Sequence, residues 1–348
     1  MFVLYLIILF LLFRHMEIHR NGIYGNYIDK EQCNCIKGLF IVVVFCRHIA
    51  PYLADAGYDF SLPGDNVFLF IDSRMRQLLV VMFLFYSGYG VTESYKKNGR
   101  DYLDDIPRRR ILPTLVNFDV AVLAFVIADL CVGIDYPMSK TFLAFTGWES
   151  IGNSNWYIFV ILCCYGSTYL ATRFLNTKSH NRVAFGGGNL LIITCVYALL
   201  FMLKPGYWHD TIFSYPLGVY YSLYKKDIEK RISEHYTMFL IGSLGGFVFL
   251  MNVSFYLKGM IDNIRALAFA SLVVILSMKV KINSKTLCWL GEHLFPLYIY
   301  QRIGMIVFSK TGDGMLIESY PYVYIILCVM MTLFWGMAYK YIQYRCKQ

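Results

Sequence analysis

The sequence predicts an all-α, polytopic membrane helical bundle of about ten core spans plus one short N-terminal span. Three observations carry that expectation. First, 57% of the 348 residues are hydrophobic and only 16% are charged, whereas a soluble domain carries about a quarter charged residues. Second, the apolar residues gather into runs near 2–13, 36–54, 77–92, 111–132, 156–172, 189–204, 211–224, 236–257, 264–278, 287–307 and 320–339. A membrane span needs about 20 such residues, and the run at 2–13 and the one at 211–224 are short by that measure. Third, aromatic residues reach 18%, with 29 Tyr and 27 Phe, which suits side chains at lipid–water boundaries.

Taken along the chain, the run at 2–13 lacks a basic segment before it and a small-residue cleavage site after it. It reads as a short first span or membrane-edge helix rather than a signal peptide. The loops after it are brief, and none is large enough for a separate soluble domain. The whole of 1–348 therefore reads as one membrane domain. The run Gly186-Gly-Gly188 reads as a flexible loop, and Gly242 to Gly246 as close helix packing.

The loops also orient the spans. Twenty-three of the 32 Lys and Arg fall in one alternating set. It comprises Arg14 to Lys37, Lys96 to Arg110, Arg173 to Arg182, Lys225 to Arg231, Lys279 to Lys285, and Lys340 to Lys347. The alternate set holds only Lys140, Lys204, Lys258, Arg265 and Lys310. Basic loops stay on the cytoplasmic side, so the N-terminus is expected outside and the C-terminus in the cytoplasm. The formal charge of +9 follows from these loops. No basic amphipathic face exists for nucleic acid.

The ten cysteines read as reduced and structural. Most lie in apolar spans, and Cys33 and Cys35 lack the second pair that a zinc site needs, so no metal is expected.

The sharpest chemical feature is Lys37-Gly-Leu-Phe-Ile-Val-Val-Val-Phe-Cys-Arg47-His48. Eleven residues turn a helix through about 1100°, roughly 20° from three full turns, so Lys37 and His48 share a helix face. They stand about 16 Å apart along the axis. Lys37 then marks the membrane edge and His48 lies deep in the span, where an ionisable group is costly and faces a polar cavity. Such an imidazole can take and return a proton near neutral pH. The alternative is a surface-anchoring lysine and a satisfied buried histidine.

This segment resembles the opening motif of the membrane-bound acyltransferase-3 family, an arginine, ten residues, then a histidine. Other stretches resemble that family in the same order. They are Met82-Phe-Leu-Phe-Tyr-Ser-Gly-Tyr-Gly90, Tyr102 to Pro113 ending Arg-Arg-Arg-Ile-Leu-Pro, Asn155-Trp156-Tyr157, and Leu290-Gly291 through Tyr298-Ile-Tyr-Gln-Arg302. The likeness covers residues 30–340 and leaves 1–29 as an added span and loop. Two positions depart from the family pattern. Lys37 replaces the usual arginine, keeping the charge but losing the planar fork. Gln301 stands where a histidine is frequent and cannot shuttle a proton.

The resemblance implies acyl transfer, usually of acetyl from cytoplasmic acetyl-CoA, to hydroxyls of surface sugars or lipid-linked glycans at a bacterial cytoplasmic membrane. On that basis His48 and Lys37 are expected to be catalytic, with His48 as the base that a weakly nucleophilic hydroxyl needs. Arg108, Arg109 and Arg110 are expected to bind the phosphates of the acyl-CoA, although a basic loop obeying the positive-inside rule would look the same. Arg76, Arg302 and Gln301 are expected on the saccharide acceptor. Arg302 lies inside a span, whereas Arg76 stands four residues from Asp72 and could simply pair with it on one helix face. Trp156 and Tyr157 read as interface anchors, and His293 as interfacial. The expected partners are the lipid bilayer, acyl-CoA and a glycan or lipid-linked saccharide, with no nucleic acid. The rival reading is a flippase or transporter of a lipid-linked saccharide. Transporters carry internal repeats and paired broken helices, and neither is visible in the sequence.

Overall fold

Residues 2–20, 22–61, 64–174, 182–253, 260–310 and 314–345 are described by a computed structural model. Lys178 and Lys347 of the basic loop set, Lys258 of the alternate set, Cys346 and the end of the expected 236–257 span lie outside them. Helices α1 (Phe2–Phe13), α2 (Lys30–Asp55), α3 (Asp65–Met75), α4 (Val81–Asn98), α5 (Arg100–Asp104) and α6 (Leu112–Cys131) form the first half. They are followed by α7 (Met138–Phe145), α8 (Trp156–Phe174), α9 (Arg182–Leu203), α10 (Ser214–Leu223) and α11 (Lys225–Glu234). The last group is α12 (Tyr236–Val253), α13 (Met260–Ser277), α14 (Lys285–Glu292), α15 (Leu294–Lys310), α16 (Met315–Ser319) and α17 (Pro321–Arg345). The architecture is an all-α membrane bundle. Among the described residues, six helical segments, beginning at Lys30, Pro107, Arg182, Tyr236, Met260 and Pro321, are long and apolar enough to cross a bilayer.

Local chemistry explains the element ends. The Asp29 carboxylate accepts the Gln32 backbone N–H at 2.8 Å, so α2 starts six residues before the apolar run does. The expected span at 287–307 breaks into α14 and α15 at His293. Pro296 lies in the first turn of α15, where its missing N–H costs no helical bond. The run at 211–224 yields only the ten-residue α10, about 15 Å long, and the twelve-residue α1 is about 18 Å long. Neither reaches across a hydrocarbon core of about 30 Å.

The core is closed by glycines where helices cross. A methyl on Gly38 would overlap the Leu287 carbonyl, and one on Gly291 the Asn34 carbonyl, which locks α2 against α14. Gly88 and Gly218 do the same for α4 and α10, against the carbonyls of Tyr215 and Phe85. Two other glycine expectations fail. Gly186 to Gly188 lie inside α9, with Gly186 against the Tyr220 ring. Gly242, Gly245 and Gly246 meet nothing within 4 Å, because α12 buries no residue at all.

The loops gather at two ends. A two-stranded antiparallel ladder, β1 (Met16–Ile18) on β2 (Val280–Ile282), ties the loop after α1 to the loop after α13. No strand is expected from the sequence, since each segment is three residues long and pairs across the whole chain. At the same end Lys96 donates to the Ser222 carbonyl and Lys225 lies over the rings of Tyr27 and Tyr89. These positions all belong to the basic loop set. At the opposite end Lys204 bonds the Trp148 carbonyl and Glu149, and Arg74 bonds the Met251 carbonyl. The nine described cysteines are free thiols.

Candidate functional site

Helix α2 runs unbroken from Lys30 to Asp55, so Lys37 and His48 do sit on one helix three turns apart. Pro51 lies inside that helix. It has no N–H to offer the Arg47 carbonyl, which loosens the ladder beside His48. A cavity of about 390 Å³ opens there, lined by Arg47, His48, Ala50, Pro51, Ala54, Phe60, Leu69, Asp72 and Arg302. It draws its lining from α2, from the loop after it, from α3 and from α15.

The charges in the cavity are unevenly satisfied. Arg47 Nη1 holds Asp72 Oδ2 at 2.6 Å and the Asp72 carbonyl at 3.1 Å. The expected Asp72–Arg76 pair on one helix face is therefore not formed. The helix ends at Met75, Arg76 turns away with φ +30°, and Asp72 reaches across to α2 instead. Arg47 and His48 are successive residues, about 100° apart around a helix, yet both line the cavity, which is wide enough to take two successive side chains. Arg302 gives Nη2 to the Tyr52 hydroxyl at 3.3 Å, while its Nε is buried without a partner. His48 Nδ1 is likewise buried with no hydrogen-bond partner. Two guanidiniums against one carboxylate leave a net positive cavity around an imidazole whose Nδ1 no described residue hydrogen-bonds.

Aromatic rings link this cavity to segments far away in sequence. The His48 ring lies 6.2 Å from that of Tyr298, Tyr298 lies 5.2 Å from Tyr157, and Tyr157 lies 6.1 Å from Phe83. The Phe83 segment, the Trp156-Tyr157 pair and the Tyr298–Arg302 segment therefore converge on His48. Tyr157 is accordingly buried in the bundle rather than anchoring its rim. His293 is buried too, with Nδ1 on the Trp289 carbonyl at 2.7 Å and its ring stacked on Trp289.

The remaining candidates are scattered. Gln301 is 1% exposed and donates to the Tyr298 carbonyl at 3.0 Å. One residue before Arg302 on a helix, it is turned by about 100° and does not line the cavity. Arg76 is exposed, bonds the Ser73 carbonyl at 3.1 Å and lines a separate, smaller cavity. Lys37 lies at the far end of α2, half-buried, with Lys30 and Glu292 as charged neighbours. Arg108, Arg109 and Arg110 occupy the π-helical turn Pro107–Ile111 and point apart. Arg108 is exposed, Arg109 pairs with Asp105 at 3.0 Å, and Arg110 turns inward to the Tyr102 hydroxyl at 3.0 Å. Asp72 and Tyr298 were missed by sequence reasoning. Asp72 was assigned to Arg76 on helical spacing alone, and Tyr298 carries no charge pattern to mark it.

No curated protein and no solved structure was found to match the chain. A family model described as an acyltransferase domain, of the acyltransferase-3 type, matches residues 30–340. That stretch contains every residue lining the His48 cavity. It covers most of the sequence, and the chain belongs to the acyltransferase-3 family of membrane acyltransferases.

Proposed function

We infer that the protein transfers an acetyl group from acetyl-CoA to a hydroxyl of a cell-surface glycan or of its lipid-linked precursor, at a bacterial cytoplasmic membrane. The observation that carries this reading is the His48 cavity: a buried imidazole nitrogen with no protein partner, beside a guanidinium with a free buried Nε. In the reaction His48 takes the proton of the acceptor hydroxyl as its oxygen attacks the thioester carbonyl. Arg302 stabilises the negative charge that develops on the carbonyl oxygen. The carbon–sulfur bond then breaks, and the departing thiolate of CoA recovers the proton from the imidazolium. The acceptor ester and free CoA are the products, with no net change at the enzyme.

The donor enters from the basic end, with its phosphates on Arg108 and Arg110 and its charge matched by Lys37. Its thioester arm reaches along α2 towards His48, about 16 Å from Lys37. The basic loops face the cytoplasm, the N-terminus is outside and the C-terminus inside. The test is a pair of measurements. Ester-linked acetyl on the surface polysaccharide should disappear in cells lacking the protein, and purified protein with acetyl-CoA and glycan should release CoA. A saccharide flippase would release none, and that outcome rejects the reading.

A further inference from the structure

A second cavity, of about 50 Å³, lies at the end of the bundle opposite the basic loops. Arg74, Arg76, Asp210, Thr211, Asp262 and Arg265 line it, so three guanidiniums meet two carboxylates. Arg265, on α13, gives Nη1 to Asp262 at 3.0 Å and Nη2 to the Leu250 carbonyl at 3.4 Å, and its Nε is buried without a partner. Arg74 gives Nη1 to the Met251 carbonyl at 2.9 Å. Arg76 uses only its Nε, on the Ser73 carbonyl. Its φ of +30° makes it the one described non-glycine residue with a left-handed φ. A bulky side chain adopts that conformation only at a local cost, which the surroundings must offset.

The positive charge is larger than the carboxylates neutralise, and among the described residues the buried Arg265 Nε meets no acceptor while Arg76 is held by one bond, from its Nε. The space suits a small anion. A void needs roughly 10–15 Å³ by this measure to hold one water, so about 50 Å³ accommodates a single tetrahedral oxyanion. Guanidinium forks recognise such oxyanions bidentately. Burial and the neighbouring Asp262 push the Asp210 carboxyl up to about 7, against Arg265 and Arg76, so the cluster gains positive charge when Asp210 takes a proton.

Position supplies the function. Asp72 lines the His48 cavity, and Arg74 and Arg76 follow it by two and four residues, about 3 and 6 Å of helix rise. The two cavities therefore flank the end of α3. We propose that the Arg74–Arg76–Arg265 cluster is a phosphate-binding subsite that holds the phosphate of a lipid-phosphate-linked saccharide while its sugar enters the His48 cavity. The identity of the acceptor rests on the function proposed above, whereas anion binding at the cluster does not.

The test uses the full chain in detergent micelles, titrated with inorganic phosphate in a calorimeter. The parent should bind it, more weakly as salt rises. Arg76→Gly should weaken binding tenfold or more while leaving the melting temperature unchanged or raised, because glycine tolerates the left-handed backbone. Arg76→Lys should retain part of the affinity. Equal binding in the parent and Arg76→Gly, or no binding at millimolar phosphate, would overturn the proposal and leave the cluster as a structural ion network. In nanodiscs, a polyprenyl phosphate should displace inorganic phosphate at lower mole fraction than phosphatidic acid. Equal displacement would assign the site to bulk phospholipid headgroups and overturn the acceptor role. Phosphate binding without CoA release on any glycan would instead sink the proposed function and leave the anion site standing.

Discussion

At the basic end, Lys225 lies over two tyrosine rings, Lys96 bonds the Ser222 carbonyl, Arg109 pairs with Asp105 and Arg173 approaches Asp104 at 3.9 Å. At the opposite end far fewer basic residues are present, yet Arg302 and Arg265 each keep a buried Nε with no partner. The contrast shows that the number of charges does not locate a site. Exposed basic groups find partners or water at little cost, and each pair is worth ~0–1 kcal/mol. A buried donor left unpaired costs about 1–3 kcal/mol, so a charged guanidinium donor that stays unpaired among the described residues at the poorer end marks a place where a ligand would be stabilised.

The largest effect that would break this comparison is at His48. His48→Ala should lower acyl transfer about 10²- to 10⁴-fold, the usual worth of a general base, with membrane insertion unchanged. The readout is ester-acetyl content of glycan in membranes matched for protein. Full activity would reduce the cavity to packing. Next comes the scaffold of the same helix. Gly38→Ala should destabilise the bundle by about 1–3 kcal/mol, because the added methyl meets the Leu287 backbone, which cannot rotate away. Thermal unfolding in detergent reads this out, with Gly245→Ala, which meets open space, as the unaffected control.

A smaller effect is expected at the basic end. Replacing Arg108, Arg109 and Arg110 together by Gln should raise the KM for acetyl-CoA about tenfold or more, given ~1.5–3 kcal/mol per charged bond, and leave the acceptor KM nearly unchanged. Arg109→Gln alone should do least, since its partner is Asp105. An unaltered donor KM in the triple variant would make the turn a topology signal only.

The smallest effect is a pH dependence at the second cavity. Asp210 faces Asp262 and Arg265 from α13, Arg76 from the turn after α3, Tyr197 from α9 and the His209 ring beside it. Burial pushes His209 below its ordinary value, which favours its neutral form. The Asp210 carboxyl is raised to about 7, so it is protonated below that pH and the cluster then carries more positive charge. Sulfate, whose own charge is constant, should therefore bind a few-fold tighter at pH 6 than at pH 8, each tenfold being worth about 1.4 kcal/mol. By the same sign, the raised pKa contributes stability at low pH that is lost as pH rises through about 7. Binding that tightens towards pH 8 would contradict the assignment of Asp210.

Much of the fold was legible because it follows from local runs. The apolar segments, their alternation with basic loops and the helical continuity between Lys37 and His48 all depend on spacing within one element. The breaks were not. The division of 287–307 at His293 depends on α14 seating against α2, and the failure of α10 to span depends on its close crossing with α4. For the site, the His48 segment and Arg302 could be singled out as ionisable groups inside apolar runs. Gln301 and Arg76 could be grouped with them only by nearness in sequence, and neither lines the His48 cavity, since adjacency in sequence says nothing about which face of a helix meets which cavity.

The sequence by itself determined that this chain dissolves in lipid, which end collects its basic loops and that one helix carries both Lys37 and His48. Composition and periodicity suffice for that, because solvent preference and helix rise act residue by residue. Only the tertiary structure decided that Asp72 serves Arg47 rather than Arg76, that Arg302 and Tyr298 face His48, and that Arg76 joins Arg74 and Arg265 instead. Those outcomes turn on where α3 ends and how α2, α3, α13 and α15 pack, and a backbone that bends at Arg76 redirects its side chain in a way no spacing rule contains.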